Sequence, residues 1–176
     1  STHGGYLIFG STIDDIEIGG GTNSLRLSTS YPGAISLLGN VGATNPISDL
    51  TVNGNSLYTS GIISTISSQQ YNVANLYLGS NTSIRTVNTS VGFNYINDTT
   101  GGHDLSIDVG TGVVTFNAPI GDQNPIRNLN VFSNAVFSQD VVTTGNQYYA
   151  KPVVIYGSMG FYTPSIIGFG STIDDQ

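Results

Sequence analysis

Cysteine is absent from this chain of 176 residues. Disulfides, thiolate metal sites and cysteine nucleophiles are therefore excluded. The absence also fits a bacterial protein that crosses an envelope before it folds. Good helix formers are nearly as scarce: Glu17 and Lys151 are the sole residues of their kinds, and there are six alanines. Glycine or proline interrupts nearly every window of a dozen residues, so a helix of ordinary length has nowhere to sit. Four cations, Arg26, Arg85, Arg127 and Lys151, stand against 11 acids, for a net charge of −7. They are too few and too scattered to make the basic footprint that nucleic acid or an anionic membrane requires. No apolar run approaches the roughly 18 residues of a membrane span, and no signal peptide is visible. Ser1 in place of an initiator methionine leads us to expect a processed chain or a stretch of a longer one.

What is present points to strands and turns. Gly, Ser, Thr and Asn supply 80 of the 176 residues, while 38% are hydrophobic and only 9% charged. Disorder goes with low hydrophobicity and high charge, and here the apolar residues are largely β-branched or aromatic, so the composition predicts an all-β chain. Short apolar clusters recur about every ten residues: Tyr6–Phe9, Ile13–Ile18, Leu25–Leu27, Ala34–Leu38 and Leu50–Val52. Ile16-Glu17-Ile18 alternates as a half-buried strand would. Tyr31-Pro32-Gly33 and Asn53-Gly54 read as turns.

The chain also repeats itself. Gly101–Phe132 (GGHDLSIDVGTGVVTFNAPIGDQNPIRNLNVF) runs through the same events as Gly19–Val52. Leu25 matches Leu105 at a shift of 80, and Asn45-Pro46 matches Asn124-Pro125 at 79. Gln70–Ser80 lines up with Tyr148–Ser158 at 78, placing Tyr71 on Tyr149, and Val91–Phe93 lines up with Ile167–Phe169 at 76. FGSTIDD occurs at Phe9–Asp15 and again at Phe169–Asp175, with a looser FNYIND at Phe93–Asp98. We read residues 1–176 as one β-solenoid segment of two half-repeats, about 9–92 and 93–168, with a further repeat starting at 169–176. Sandwiches and barrels have no reason to repeat along the chain, whereas stacked coils do. Coils of roughly 20 residues would put about four in each half-repeat and eight or nine in all. At about 4.8 Å per strand the rod would be about 40 Å long.

The DL-x-I strand, GTG turn, VVTFN strand, PIG or NVG corner and NPI-x-x-L-x-V run resemble the repeats of bacterial filamentous-haemagglutinin-like exoproteins. The likeness covers most of residues 19–60 and 101–150. It implies a right-handed parallel β-helix in a large secreted or surface-attached protein. The secretion cap of such proteins is not visible here, so the resemblance implies an internal stretch. Aromatics such as Tyr148, Tyr149, Phe161 and Tyr162 are denser than that family leads us to expect. They call for bulkier core packing or an apolar docking face.

No constellation carries a specific chemistry. Asp14, Asp15 and Glu17, echoed at Asp174 and Asp175, could form a glycosidase-like acid pair or a Ca²⁺ site. Adjacent strand residues point to opposite faces, however, so these read as solvated turn carboxylates. GGGTNSLRL has Asn23 where a calcium-binding nonapeptide needs Asp, and it lacks the nine-residue recurrence. His103-Asp104 falls opposite Thr22-Asn23 in its partner stretch, and the other histidine is His3; neither has a nucleophile in recognisable context. Asn81, Asn88 and Asn97 begin N-glycosylation triplets that an Asn/Thr/Ser-rich chain also makes by chance. We expect no enzyme activity, no catalytic or metal residues and no cofactor. The expected role is a structural or adhesive repeat module of an extracellular fibre or cell-surface adhesin. Its partners would be adjacent repeats or identical subunits at open solenoid ends, and host or matrix glycans, without nucleic acid or membrane insertion. The alternative is a carbohydrate-active or glycan-binding β-helix of tailspike or lyase type.

Overall fold

A computed structural model describes residues 4–17 and 20–176. It is all-β, with parallel strands stacked into a solenoid of about 7 turns spaced ~21 residues apart. In chain order the strands begin with β1 (Tyr6–Phe9), β2 (Leu25–Ser28), β3 (Ala34–Leu37) and β4 (Leu50–Asn53). Then come β5 (Ser56–Ser64), β6 (Gln69–Asn72), β7 (Asn75–Arg85), β8 (Val91–Phe93) and β9 (Tyr95–Asp98). The second half supplies β10 (Leu105–Asp108), β11 (Val113–Phe116), β12 (Leu129–Val131), β13 (Asn134–Phe137) and β14 (Val141–Val142). It ends with β15 (Gln147–Tyr149), β16 (Val153–Ile155), β17 (Phe161–Tyr162), β18 (Ile167–Phe169) and β19 (Ile173–Asp175).

These strands form three stacks. The first runs through β1, β3, the opening of β5, the opening of β7 and β9, then by bridges through Ile120 to β14 and β17. The second runs from Ile13 through Val41 to the ends of β5 and β7, then β10, β12, β15 and β18. The third takes β2, β4 and β6, then β8, β11, β13, β16 and β19. The step from β6 to β8 is made by rings: Tyr71 and Phe93 stack at 5.2 Å. Alternation explains the inside. In β4 Leu50 and Val52 are buried while Thr51 and Asn53 are not, and β11 and β10 repeat the pattern. Aromatic density resolves only in part into core packing, for Tyr148 and Tyr162 are exposed. Phe93, Phe116 and Phe137 stack at 5.9 and 4.6 Å inside the third face. Tyr149, Phe161 and Phe169 join them near the C-terminal end.

Each stack holds eight rungs, in line with the expected eight or nine coils, and the about 7 turns from first rung to last span about 34 Å at about 4.8 Å each. The coils are uneven: Tyr6 and Ala34 are register partners 28 positions apart, Leu129 and Gln147 only 18. One expectation needs correction: there is no strand at Ile16-Glu17. Ile16 is 90% exposed, and the Asp15 carboxylate takes the Glu17 N–H, bending the chain. Ile18, the end of that expected strand, lies outside the described residues, as do Gly19 and His3.

The uneven coils have a larger consequence. Leu25, Leu50 and Gln69 lie in the third stack, but Leu105, Leu129 and Gln147 lie in the second. Leu37 lies in the first stack, and Phe116, 79 residues on, in the third. Val41 lies in the second and Ile120, also 79 on, in the first. Each matched stretch thus reappears one face over. A shift of about 79 residues at about 21 per coil is about three and two-thirds coils, not four. The local geometry survives the rotation. Asp15 N–H donates to the Asn45 carbonyl at 3.0 Å, as Asp98 N–H does to Asn124. Gly42 N–H donates to Ile13 at 2.7 Å, as Gly121 N–H does to Ile96.

Candidate functional site

The charged and amide side chains singled out from sequence gather at the corners between stacks. Asp15 is buried, not solvated, which corrects the expectation for that one member of the acidic cluster, while Asp14 and Glu17 are exposed. The Asp15 carboxylate accepts the backbone N–H groups of Glu17, Thr22 and Asn23 and the Asn23 side-chain amide at 2.7 Å. Those Asn23 bonds, above all, hold its carboxyl well below the usual range. Asp14 points the other way and accepts from Thr44 and Asn45 N–H. Asp174 and Asp175 lie exposed on β19. The acids are therefore divided among separate turns, and no group of three or more His, Cys, Asp or Glu is placed to hold a metal among the described residues.

The second half rebuilds this corner with different residues. Asp98 accepts from Thr100 N–H and from His103 N–H, with the His103 Nδ1 atom 2.8 Å away. His103 thus takes the place of Asn23, and pairs with Asp98 rather than with its neighbour Asp104. The alignment that set His103 opposite Thr22 was one residue out. Burial pushes the Asp98 carboxyl up, but the Thr100 and His103 bonds outweigh it and leave the group lowered. Asn97 replaces Asp14, accepting from Gln123 and Asn124 N–H. It is fully buried, so its triplet cannot receive a glycan in the folded chain. Asn81 and Asn88 are exposed, yet each already accepts a turn N–H, from Asp104 and Thr111.

A ladder of polar rungs climbs beside each corner. Asp49 accepts from Ser24, Ser48 and Ser68 hydroxyls and from Ser68 N–H, tying together three coils. These bonds, Ser68 first, depress its carboxyl strongly. One face over, Asp104 accepts a two-pronged contact from Arg127 and a bond from Asn128, which in turn accepts from Asn146 N–H. Arg127 is the main cause of the lowered Asp104 carboxyl. Depressed carboxylates leave the folded state with fewer bound protons than the unfolded one, whose carboxyls titrate near 4. Their stabilisation is complete at neutral pH and falls away as pH drops below about 5. The melting temperature should therefore decline from pH 7 to pH 3, with a shallower decline in Asp49→Asn. A midpoint that holds steady or rises over that interval would contradict the assignment.

The sequence reading missed one network. Gln69 is buried, donates to Thr65 Oγ1 and the Arg85 carbonyl, and accepts the Tyr71 hydroxyl at 2.6 Å. Gln147 repeats it with Thr143, the Tyr162 carbonyl and the Tyr149 hydroxyl at 3.0 Å. The signal was there as T-x-x-x-Q-x-Y, present twice. Tyr71→Phe and Tyr149→Phe should each cost about 1–2 kcal/mol, since each orphans a buried glutamine oxygen. Chemical denaturation of the two variants checks this, and similar losses are expected from equivalent environments.

No family model matches the chain, and no curated protein or solved structure is significantly similar to it. Fold and corners together define a parallel β-solenoid repeat protein, whose buried and paired polar side chains are largely committed to holding its own turns and coils in register.

Proposed function

We propose that this chain is a structural and adhesive repeat module of a large extracellular fibre or cell-surface adhesin. It would have no catalytic role. The observation that carries the reading is a packing unit that recurs coil on coil. Phe169 stacks on Tyr149 at 5.1 Å and 20°, as Phe93 stacks on Tyr71 at 5.2 Å and 26°. Phe93 in turn carries Phe116 of the following coil. Parallel coils of this kind accept further strands at their edges. A following repeat or an identical subunit would continue the stack, so that the molecule works by geometry, as a stiff spacer built coil on coil. The resemblance to filamentous-haemagglutinin-like exoproteins points the same way and supplies the extracellular setting.

Electron microscopy and light scattering across a concentration series test the assembly. Rods of constant width that lengthen with concentration are expected if identical subunits stack. Monomers at every concentration would remove subunit stacking and leave continuation along one chain.

A further inference from the structure

We propose that the second face carries a binding trough for a neutral oligosaccharide, centred on Ser83, Ser106 and Phe132. The proposal rests on the adhesive part of the reading above and not on the stacking of ends.

The trough follows from register. Ser83, Ser106 and Asn130 are consecutive partners across β7, β10 and β12, so three short side chains lie in a row about 4.8 Å apart. Arg85 and Asp108 are partners in the adjoining row. Phe132, whose N–H bonds to the Ile107 carbonyl, follows Asp108 there. Ser83, Arg85, Ser106, Asp108 and Phe132 line an open space of about 460 Å³. A second space of about 240 Å³, lined by Gly61, Asn81 and Asp104, shares Ser83 and Ser106 with it. The larger is within the roughly 300–1,000 Å³ of small-molecule sites.

The chemistry of the walls selects the ligand. Strands β7, β10 and β12 are paired on both sides, so a peptide cannot be added as a new strand. Whatever binds must be read by side chains. Phe132 is 43% exposed and is backed edge-on by Tyr148, with centroids 6.2 Å apart, which offers a fixed flat apolar face. Arg85 donates from Nε to Ser83 Oγ, and its other guanidinium N–H groups have no partner among the described residues. Asp108 Oδ2 likewise accepts no bond there, while Oδ1 is held by Gly110 N–H. Arg85 stands beside Asp108 and Arg127 is paired with Asp104, so the walls carry no net positive charge and do not favour a polyanion. Free donors, free acceptors, hydroxyls and one aromatic plate suit a ring with hydroxyls at its rim and C–H groups on its face.

Amide-resolved NMR titration with cellotetraose, maltotetraose and N-acetylchitotetraose tests this on the intact chain. At least one should shift Ser83, Ser106, Asp108 and Asn130 selectively. Phe132→Ala should weaken that binding at least tenfold while the circular dichroism spectrum is kept, and Phe132→Tyr should restore it. Tyr95→Ala, on another face, should bind as the parent does. No shifts with any of the three at millimolar concentration, equal binding by Phe132→Ala, or the same shifts from a neutral tetrapeptide would each overturn the proposal. All three results leave the rod itself standing, and loss of stacking in the concentration series leaves the trough standing.

Discussion

Phe116→Ala should lower the melting temperature by about 6–20 °C. Phe116 is 1% exposed and lies between Phe93 at 5.9 Å and Phe137 at 4.6 Å. Removing a buried phenylalanine side chain costs about 3–5 kcal/mol, from lost burial and the cavity left behind. Ring stacking adds to this, since both neighbours lose a face. For a chain of this size each kcal/mol is worth about 2–4 °C. The solenoid gives the result a particular shape: coils touch only their neighbours, so truncation in the middle uncouples the two ends. Hydrogen exchange should show protection falling in β8, β11 and β13 first, while β3 and β5 hold. Phe169→Ala, at the partly open end, should cost clearly less. Equal losses at the two sites would contradict a stack that runs through Phe116.

Gly121→Ala should destabilise by about 3 kcal/mol or more. Gly121 has φ +72°, a left-handed conformation that costs an L-residue roughly 1–2 kcal/mol. A Cβ there would also lie 2.2 Å from the Val142 carbonyl oxygen and 2.9 Å from Pro125 Cα, both backbone. Neither can swing aside, so the corner itself must shift. Gly42 is its equivalent, with φ +66° and a Cβ 2.2 Å from the Ser64 carbonyl oxygen, so Gly42→Ala should cost as much. Gly101 separates the two contributions. It has φ +82°, but the nearest atom a Cβ would meet beyond the adjoining residues is the Pro125 oxygen at 3.6 Å. Gly101→Ala should thus show the conformational cost alone, about 1–2 kcal/mol. Equilibrium denaturation of the three variants orders them, and a Gly101 variant as damaged as Gly121 would refute the close-approach argument.

Much of the architecture was legible in the sequence. Val52, Leu105 and Phe116 fall on alternating positions, and self-similar stretches with drifting loop lengths exclude closed sheets. The one-third rotation was not legible. A repeat fixes how many residues separate Leu25 from Leu105, but not how many coils they make, because coil length depends on loops such as that between β1 and β2. The corners were half legible. Asn-Pro and Gly marked where they lie, yet the role of Asp15 depends on donors seven and eight residues ahead. His103 drew attention through its neighbour Asp104, while its partner Asp98 sits five residues back. Spacing along the chain does not disclose which carboxylate a turn folds onto. The lateral trough was invisible for a like reason: Ser83, Ser106 and Phe132 meet only through strand register.

The rotation is the point on which the whole account can be tested, and the absence of cysteine makes the test clean. Ser83 and Ser106 are direct register partners at the junction of the two halves. Had the half-repeat spanned four whole coils, β10 would have stacked on β8 in the third stack, bringing Ser106 over Gly92 instead. Chains carrying Ser83→Cys with Ser106→Cys, or Gly92→Cys with Ser106→Cys, can be treated with a short bifunctional thiol reagent and the products mapped. Ready cross-linking of the first pair and none of the second is the expected result. Cross-linking of Gly92→Cys to Ser106→Cys, with the Ser83 pair silent, would contradict it.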